Sequence, residues 1–140
     1  MRVLSRADLE RLLTPADLIA ALDEAFRAYG EGRCRVPART SVASADGVLL
    51  VMPAAADTGD AAALGAKLVS VFPGNRARGH PTLYATYLLL DAATGAPLAL
   101  LDGTVLTALR TGATSALAAR YLARPDSRRL VCFGAGVQAA

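Results

Sequence analysis

The sequence predicts an α+β fold: a mixed or antiparallel β-sheet with flanking helices, followed by the first strand of a truncated α/β unit. Three observations predict it. Two helix-period segments with start signals open the chain, the middle alternates and turns as paired strands do, and the end is a short apolar strand running into a glycine turn. The 140 residues suit one main domain, and an apolar content of 54% is enough for a real core.

Composition narrows the class. Mean hydropathy is +0.36, yet no stretch of about 18 uncharged apolar residues occurs, so no membrane-spanning helix is expected. The opening MRVLSRADLERLL is broken by charges and has no secretory apolar region, which reads as a cytoplasmic protein. Cys34 and Cys132 lie far apart and His80 has no cysteine nearby, which argues against a disulfide framework and against a metal site. The net charge of +3 is spread along the chain and only 5% of residues are aromatic, a poor match to a nucleic-acid surface; the positive balance fits a small anionic ligand equally well.

The elements follow in order. Val3 and Leu4 suggest a short strand, and Ser5 with Asp8 three residues on starts a helix bearing Leu9, Leu12 and Leu13. Thr14-Pro15 restarts the chain as N-cap and first-turn proline. The second helix carries Leu18, Ile19, Leu22, Ala25, Phe26 and Tyr29 at spacings of three and four, and ends at Gly30 and Gly32. Residues 41–52 and 64–72 read as strands separated by a small-residue loop, 54–63. Gly74-Asn75 and Gly79-His80-Pro81 bound a turn-rich loop. Residues 82–90, the turn Asp91 to Gly95, and residues 97–101 form a β-hairpin signature. Asp102-Gly103-Thr104 caps a third helix running to about Ala123, with Thr107, Arg110 and Thr114 on one stripe.

Two basic residues stand out. Lys67 is the only lysine among fifteen basic residues, set on the apolar segment GAKLVSVFPGN. Its pKa can be lowered by burial and by neighbouring cations, so it is a candidate for chemistry; a surface lysine is the competing reading. Arg110 lies mid-helix among small residues, either snorkelling to solvent or acting as a buried guanidinium for a carboxylate or phosphate. Residues 129–133 read as a strand entering Gly134-Ala135-Gly136-Val137-Gln138-Ala139, the Gly-x-Gly-x-x-Ala form of the dinucleotide fingerprint. The helix, second strand and acidic residue that would complete it do not follow before Ala140.

Taken in order, GAKLVSVFPGN, GHPTLYATYLLLDAATGAPLALLDGTVLTALRTGATSALAARYLARPD and FGAGVQA resemble the ornithine cyclodeaminase/mu-crystallin family, and the likeness begins at LSRADLERLL. The resemblance implies a substrate-binding and dimerisation domain over residues 1–125. Residues 126–140 would be the first strand and glycine turn of a truncated Rossmann domain that binds NAD or NADP. It implies a homodimer acting on a small amino or imino acid, with no nucleic-acid or membrane partner and no metal. Arg39, Lys67 and Arg110 match positions that hold the substrate, Lys67 being the catalytic one. Thr82, Arg110, Gly134, Gly136, Val137 and Gln138 match cofactor-contacting positions. The implied reaction starts with hydride transfer from the substrate Cα to give an imine, followed in ornithine-using members by cyclisation and loss of ammonia.

The family's catalytic aspartate would lie beyond Ala140, so this chain by itself is expected to be inactive and to resemble a fragment of a protein more than twice as long. Ornithine-using members carry a carboxylate two residues before the Met-Pro matched by Met52-Pro53; here Leu50 stands there, which argues against ornithine. A ketimine reductase, an alanine dehydrogenase-like enzyme and a non-catalytic mu-crystallin-like binding or oligomerisation module are the alternatives.

Overall fold

A computed structural model describes residues 1–57 and 62–138. The chain runs β1 (Arg2–Leu4), α1 (Arg6–Leu12), α2 (Pro15–Gly30), β2 (Cys34–Arg35), β3 (Thr40–Ala43), β4 (Val48–Asp57) and β5 (Ala62–Val71). A 3₁₀ turn (Pro73–Arg78), β6 (Leu83–Leu90), β7 (Pro97–Asp102) and α3 (Gly103–Leu122) complete it. The expected α+β class holds. One seven-stranded sheet has the order β1-β7-β6-β5-β4-β2, with β3 also on β4, and only the β1–β7 pair is parallel.

The early helices start where the sequence places their caps. The Ser5 hydroxyl accepts from the Asp8 N–H while the Asp8 carboxylate accepts from the Ser5 N–H, a reciprocal capping box. Thr14 caps α2 in the same sense, with Pro15 in the first turn. In the hairpin β6–β7, Asp91 folds its carboxylate back onto Ala93 and Thr94, and Gly95 takes a φ of 75° that a side chain would resist.

Three expectations need correction. Residues 41–52 are not one strand: Ser44 to Gly47 form a tight turn, closed by the Ser44 N–H donating to Gly47 O at 2.9 Å, and split them into β3 and β4. The expected loop 54–63 is largely strand, because Ala54 to Asp57 pair in register with Ala62 to Gly65. Alanine is a weak strand former, but cross-strand pairing overrides that preference; residues 58–61 of that loop lie outside the described residues. Residues 129–133 form no strand. An isolated strand has no neighbour to take its ladder hydrogen bonds, and Leu130 and Phe133 are 90% and 97% exposed.

Register divides the sheet into two faces. Leu50, Met52, Lys67, Val69, Tyr87 and Ala99 share the inner face, on which α3 lies with α1 and α2 against it. The core sits there: Leu9, Ala28, Val69, Ala99, Val105, Ala113 and Leu117 are buried. The outer face is also apolar, but no described element covers it. Leu49, Leu68, Tyr84 and Leu98 on it are 40%, 38%, 46% and 44% exposed.

The start of α3 is fixed by close contact rather than by bulk. The Asp102 carboxylate accepts from the N–H groups of Thr104 and Val105 at 2.8 and 3.1 Å. The β6–β7 ladder ends at the Thr86–Asp102 pair, and the Thr104 hydroxyl then accepts from the Ala85 N–H at 2.9 Å in place of the next rung. Gly103 lies so close to β6 that a Cβ would come within 2.9 Å of backbone atoms of Ala85 and Thr86. Farther along, the Tyr121 hydroxyl donates to Asp23 at 2.9 Å and accepts from Arg27 at 2.8 Å, tying α3 to α2.

Candidate functional site

Strands β2 and β3 share one edge of β4 but leave a gap. β3 pairs as far as Val51 and β2 resumes at Ala55, so Met52, Pro53 and Ala54 have no partner on that side. Pro53 suits the gap, since a proline cannot complete a ladder on both sides. The connecting segment Val36 to Arg39 arches over it, and with α3 it encloses a cleft of about 440 Å³ on the inner face.

The cations predicted to hold substrate meet in this cleft. Arg39 comes from the arch, Lys67 from the middle of β5 and Arg110 from the second turn of α3, alongside Thr107. Lys67 stands in one row with Met52 on β4 and Tyr87 on β6. It is half-buried, and the two arginines are exposed at the cleft rim; the reading of Arg110 as a buried guanidinium is therefore corrected. The Lys67 ammonium is held below its ordinary pKa of 10.5, chiefly by burial and then by Arg110 and Arg39. No Asp or Glu lines the cleft among the described residues, so these three cations face it without a counter-charge. The rest of the lining, including Val36, Pro37, Met52 and Leu106, is apolar.

Other expected site residues lie elsewhere. Thr82 precedes β6, five residues from Tyr87, which is roughly 17 Å along an extended strand. It does not line the cleft. Leu50 shares the inner face with Met52 but also falls outside the lining, so the wall opposite Lys67 is set by Met52 to Ala54 instead. Gly134, Gly136, Val137 and Gln138 line a separate depression with Ser115 of α3. There Gln138 O sits against the position where Gly112 lacks a side chain, 3.7 Å from an ideal Cβ. Gly134 has a φ of 99°, and neither it nor Gly136 has an atom within 4 Å of the space a Cβ would fill. The open backbone suits close approach by a pyrophosphate. Ala139 lies outside the described residues. Helix α3 thus carries Arg110 toward the cleft and Gly112 and Ser115 toward the glycine turn.

Tyr87 was missed by sequence reasoning although it lines the cleft beside Lys67. Alternation along β6 could have put it on the buried face, but only the register with β5 sets it across from Lys67.

Against this geometry, all 140 residues match the ornithine cyclodeaminase/mu-crystallin family. The chain belongs to that family. It is 39% identical over 137 residues to the alanine dehydrogenase of Archaeoglobus fulgidus, covering 98% of this chain and 41% of that protein. It is 39% identical over 140 residues to the ornithine cyclodeaminase of Agrobacterium tumefaciens, covering 99% and 36% respectively. Among solved structures it resembles the Thermococcus litoralis Δ1-pyrroline-2-carboxylate reductase in complex with NADH and L-proline. The TM-score there is 0.88 at 45% identity, over 99% of this chain and 43% of that one. An archaeal alanine dehydrogenase dimer with bound NAD gives a TM-score of 0.83 at 38% identity, over 91% and 38%. The chain therefore spans about two-fifths of these family members. No helix among its described residues is long and apolar enough to cross a membrane.

Proposed function

We propose that residues 1–125 supply the substrate-binding and dimerisation part of a cytoplasmic, NAD(P)-linked enzyme acting at the Cα–N bond of a small amino or imino acid. Residues 126–140 open its dinucleotide-binding part. One observation carries the reading: Arg39, Lys67 and Arg110 converge from three elements on one apolar-walled cleft with no carboxylate among the described residues of its lining.

Cations that face one cleft repel one another until an anion binds among them, as the lowering of the Lys67 pKa by Arg110 and Arg39 reflects. A carboxylate is planar and takes two parallel N–H bonds from a guanidinium, so Arg39 and Arg110 hold that end of the substrate. Lys67 lines the same cleft, paired with Met52 of the β4 wall. Its depressed pKa leaves a larger neutral fraction near physiological pH than an exposed lysine has, so it accepts and returns a proton at the substrate nitrogen. The apolar wall keeps water from the reacting carbon. When bound at the glycine turn, NAD supplies the acceptor or donor of hydride. The relatives whose structures hold NADH and NAD support that cofactor for this chain, as does the open backbone at Gly134 and Gly136.

The uncovered outer sheet face supports a homodimer, as does the dimeric alanine dehydrogenase relative.

Lys67→Arg keeps the charge but not the titration or the compact ammonium. In the full-length protein it is expected to lower kcat by at least about 100-fold, while thermal-shift titration still detects carboxylate binding. A turnover number within a few-fold of the unsubstituted protein would rule out proton transfer by Lys67.

A further inference from the structure

Tyr87 lines the cleft with the three cations, and its hydroxyl lies at the Gly65 end. Tyr87 lies directly across from Lys67 in the β5–β6 ladder. Its ring leans along the sheet over Gly65. A Cβ on Gly65 would fall 2.6 Å from the Tyr87 hydroxyl and 2.9 Å from Cζ, so the ring occupies the space that residue leaves empty. Gly65 is two positions from Lys67 on the same face, about 7 Å along the strand. The hydroxyl is therefore set about two residues along the strand from the backbone of Lys67. It has no hydrogen-bond partner among the described residues and is not sealed in the core. Ala54, across the ladder from Gly65, and Val36 of the arch complete this end without a charge.

We infer that Tyr87 is the specificity-determining residue of the cleft. Its ring sets the length of side chain admitted, and its hydroxyl offers one hydrogen bond at the far end. The class it selects is a compact monocarboxylate, of three to five carbons or a single small ring, with an uncharged far end. A diamino acid with an extended chain meets an aromatic ring and, among the described residues lining the cleft, no carboxylate to receive its second ammonium, whose burial unpaired is strongly unfavourable. This rests on the substrate cleft proposed above. It also separates this chain from relatives of equal similarity: identity to the alanine dehydrogenase and to the ornithine cyclodeaminase is 39% in each case. Overall likeness cannot choose between them, whereas Tyr87 over Gly65 favours the compact substrate.

The test is a kcat/KM profile of the full-length protein with NAD(H). The panel is pyruvate plus ammonia, a five-membered cyclic imine carboxylate, ornithine and a straight-chain six-carbon 2-amino acid, with binding followed in parallel by thermal shift. The unsubstituted protein is expected to favour the compact pair at least about 10-fold over the long-chain pair. Tyr87→Ala should shift that ratio by about 10-fold or more toward the six-carbon substrate. Tyr87→Phe keeps the ring and hence the length profile, but should raise KM for compact substrates about 5-fold through the lost hydrogen bond, with kcat little changed. Because Tyr87→Phe preserves the packing over Gly65, it reports on the hydroxyl even where Tyr87→Ala fails to fold. An unchanged profile in folded Tyr87→Ala, or an unchanged KM in Tyr87→Phe, overturns the inference while leaving the cleft assignment standing. Absence of turnover and of binding across the whole panel overturns the cleft assignment, and this inference with it.

Discussion

At the scale of single residues, Lys67 shows how a position suited to chemistry is costly to the fold. A half-buried ammonium beside two guanidiniums is disfavoured in the folded chain, and its lowered pKa expresses that cost. The unfolded chain binds this proton more tightly, so between the lowered folded pKa and 10.5 stability rises with pH. Below that window the penalty is complete, and above it the lysine is neutral in both states. Replacing Lys67 with Met removes the charge and nearly conserves the volume. Ligand-free Lys67→Met is therefore expected to melt about 3 °C higher than the unsubstituted protein at pH 7, the difference shrinking by pH 10. Equal melting temperatures at pH 7 would show that Lys67 carries no such penalty. The same substitution removes the proposed proton carrier, so gained stability and lost turnover should appear together.

At the scale of elements, the site depends on where α3 begins. Arg110 is seven residues from Gly103, so a small rotation of the first turn swings the guanidinium out of the cleft. Two contacts set that turn: Gly103 against the β6 backbone, and the Thr104 hydroxyl in place of a ladder rung on Ala85. Thr104→Val leaves the Ala85 N–H without its partner and should cost about 1–3 kcal/mol in denaturant unfolding, with Thr104→Ser recovering most of it. Gly103→Ala must displace backbone rather than a flexible side chain, and should cost a similar 1–3 kcal/mol. Neutral effects in both would mean that α3 is held by its apolar stripe alone.

For the whole molecule, the division of labour is between two sheet faces. The inner face carries the core and the cleft, and the outer face remains apolar and uncovered. If that face is the dimer interface, a charge at its centre should separate the protomers without disturbing the core beneath. Leu68→Glu is expected to convert the dimer to monomer in sedimentation velocity while leaving far-ultraviolet circular dichroism unchanged. A dimer of undiminished affinity would move the interface elsewhere. Leu130, Val131 and Phe133 are exposed apolar residues as well.

The sequence by itself determined the family, the helix boundaries and the identity of the cations. Those signals are local: Ser5 and Thr14 cap within one turn, Asp102 precedes its own helix, and Lys67 is conspicuous because no other lysine exists. Tertiary structure alone decided which residues share the cleft with them. Arg39, Lys67 and Arg110 are separated by dozens of residues, and only the register of β4, β5 and β6 brings Met52 and Tyr87 into line with the lysine. Strand pairing also drew the alanines at 54–57 into β4, while residues 129–133, apolar and strand-like in sequence, stayed irregular without a partner. A strand exists by virtue of its neighbour's hydrogen bonds, so its presence and its register are not properties of its own residues.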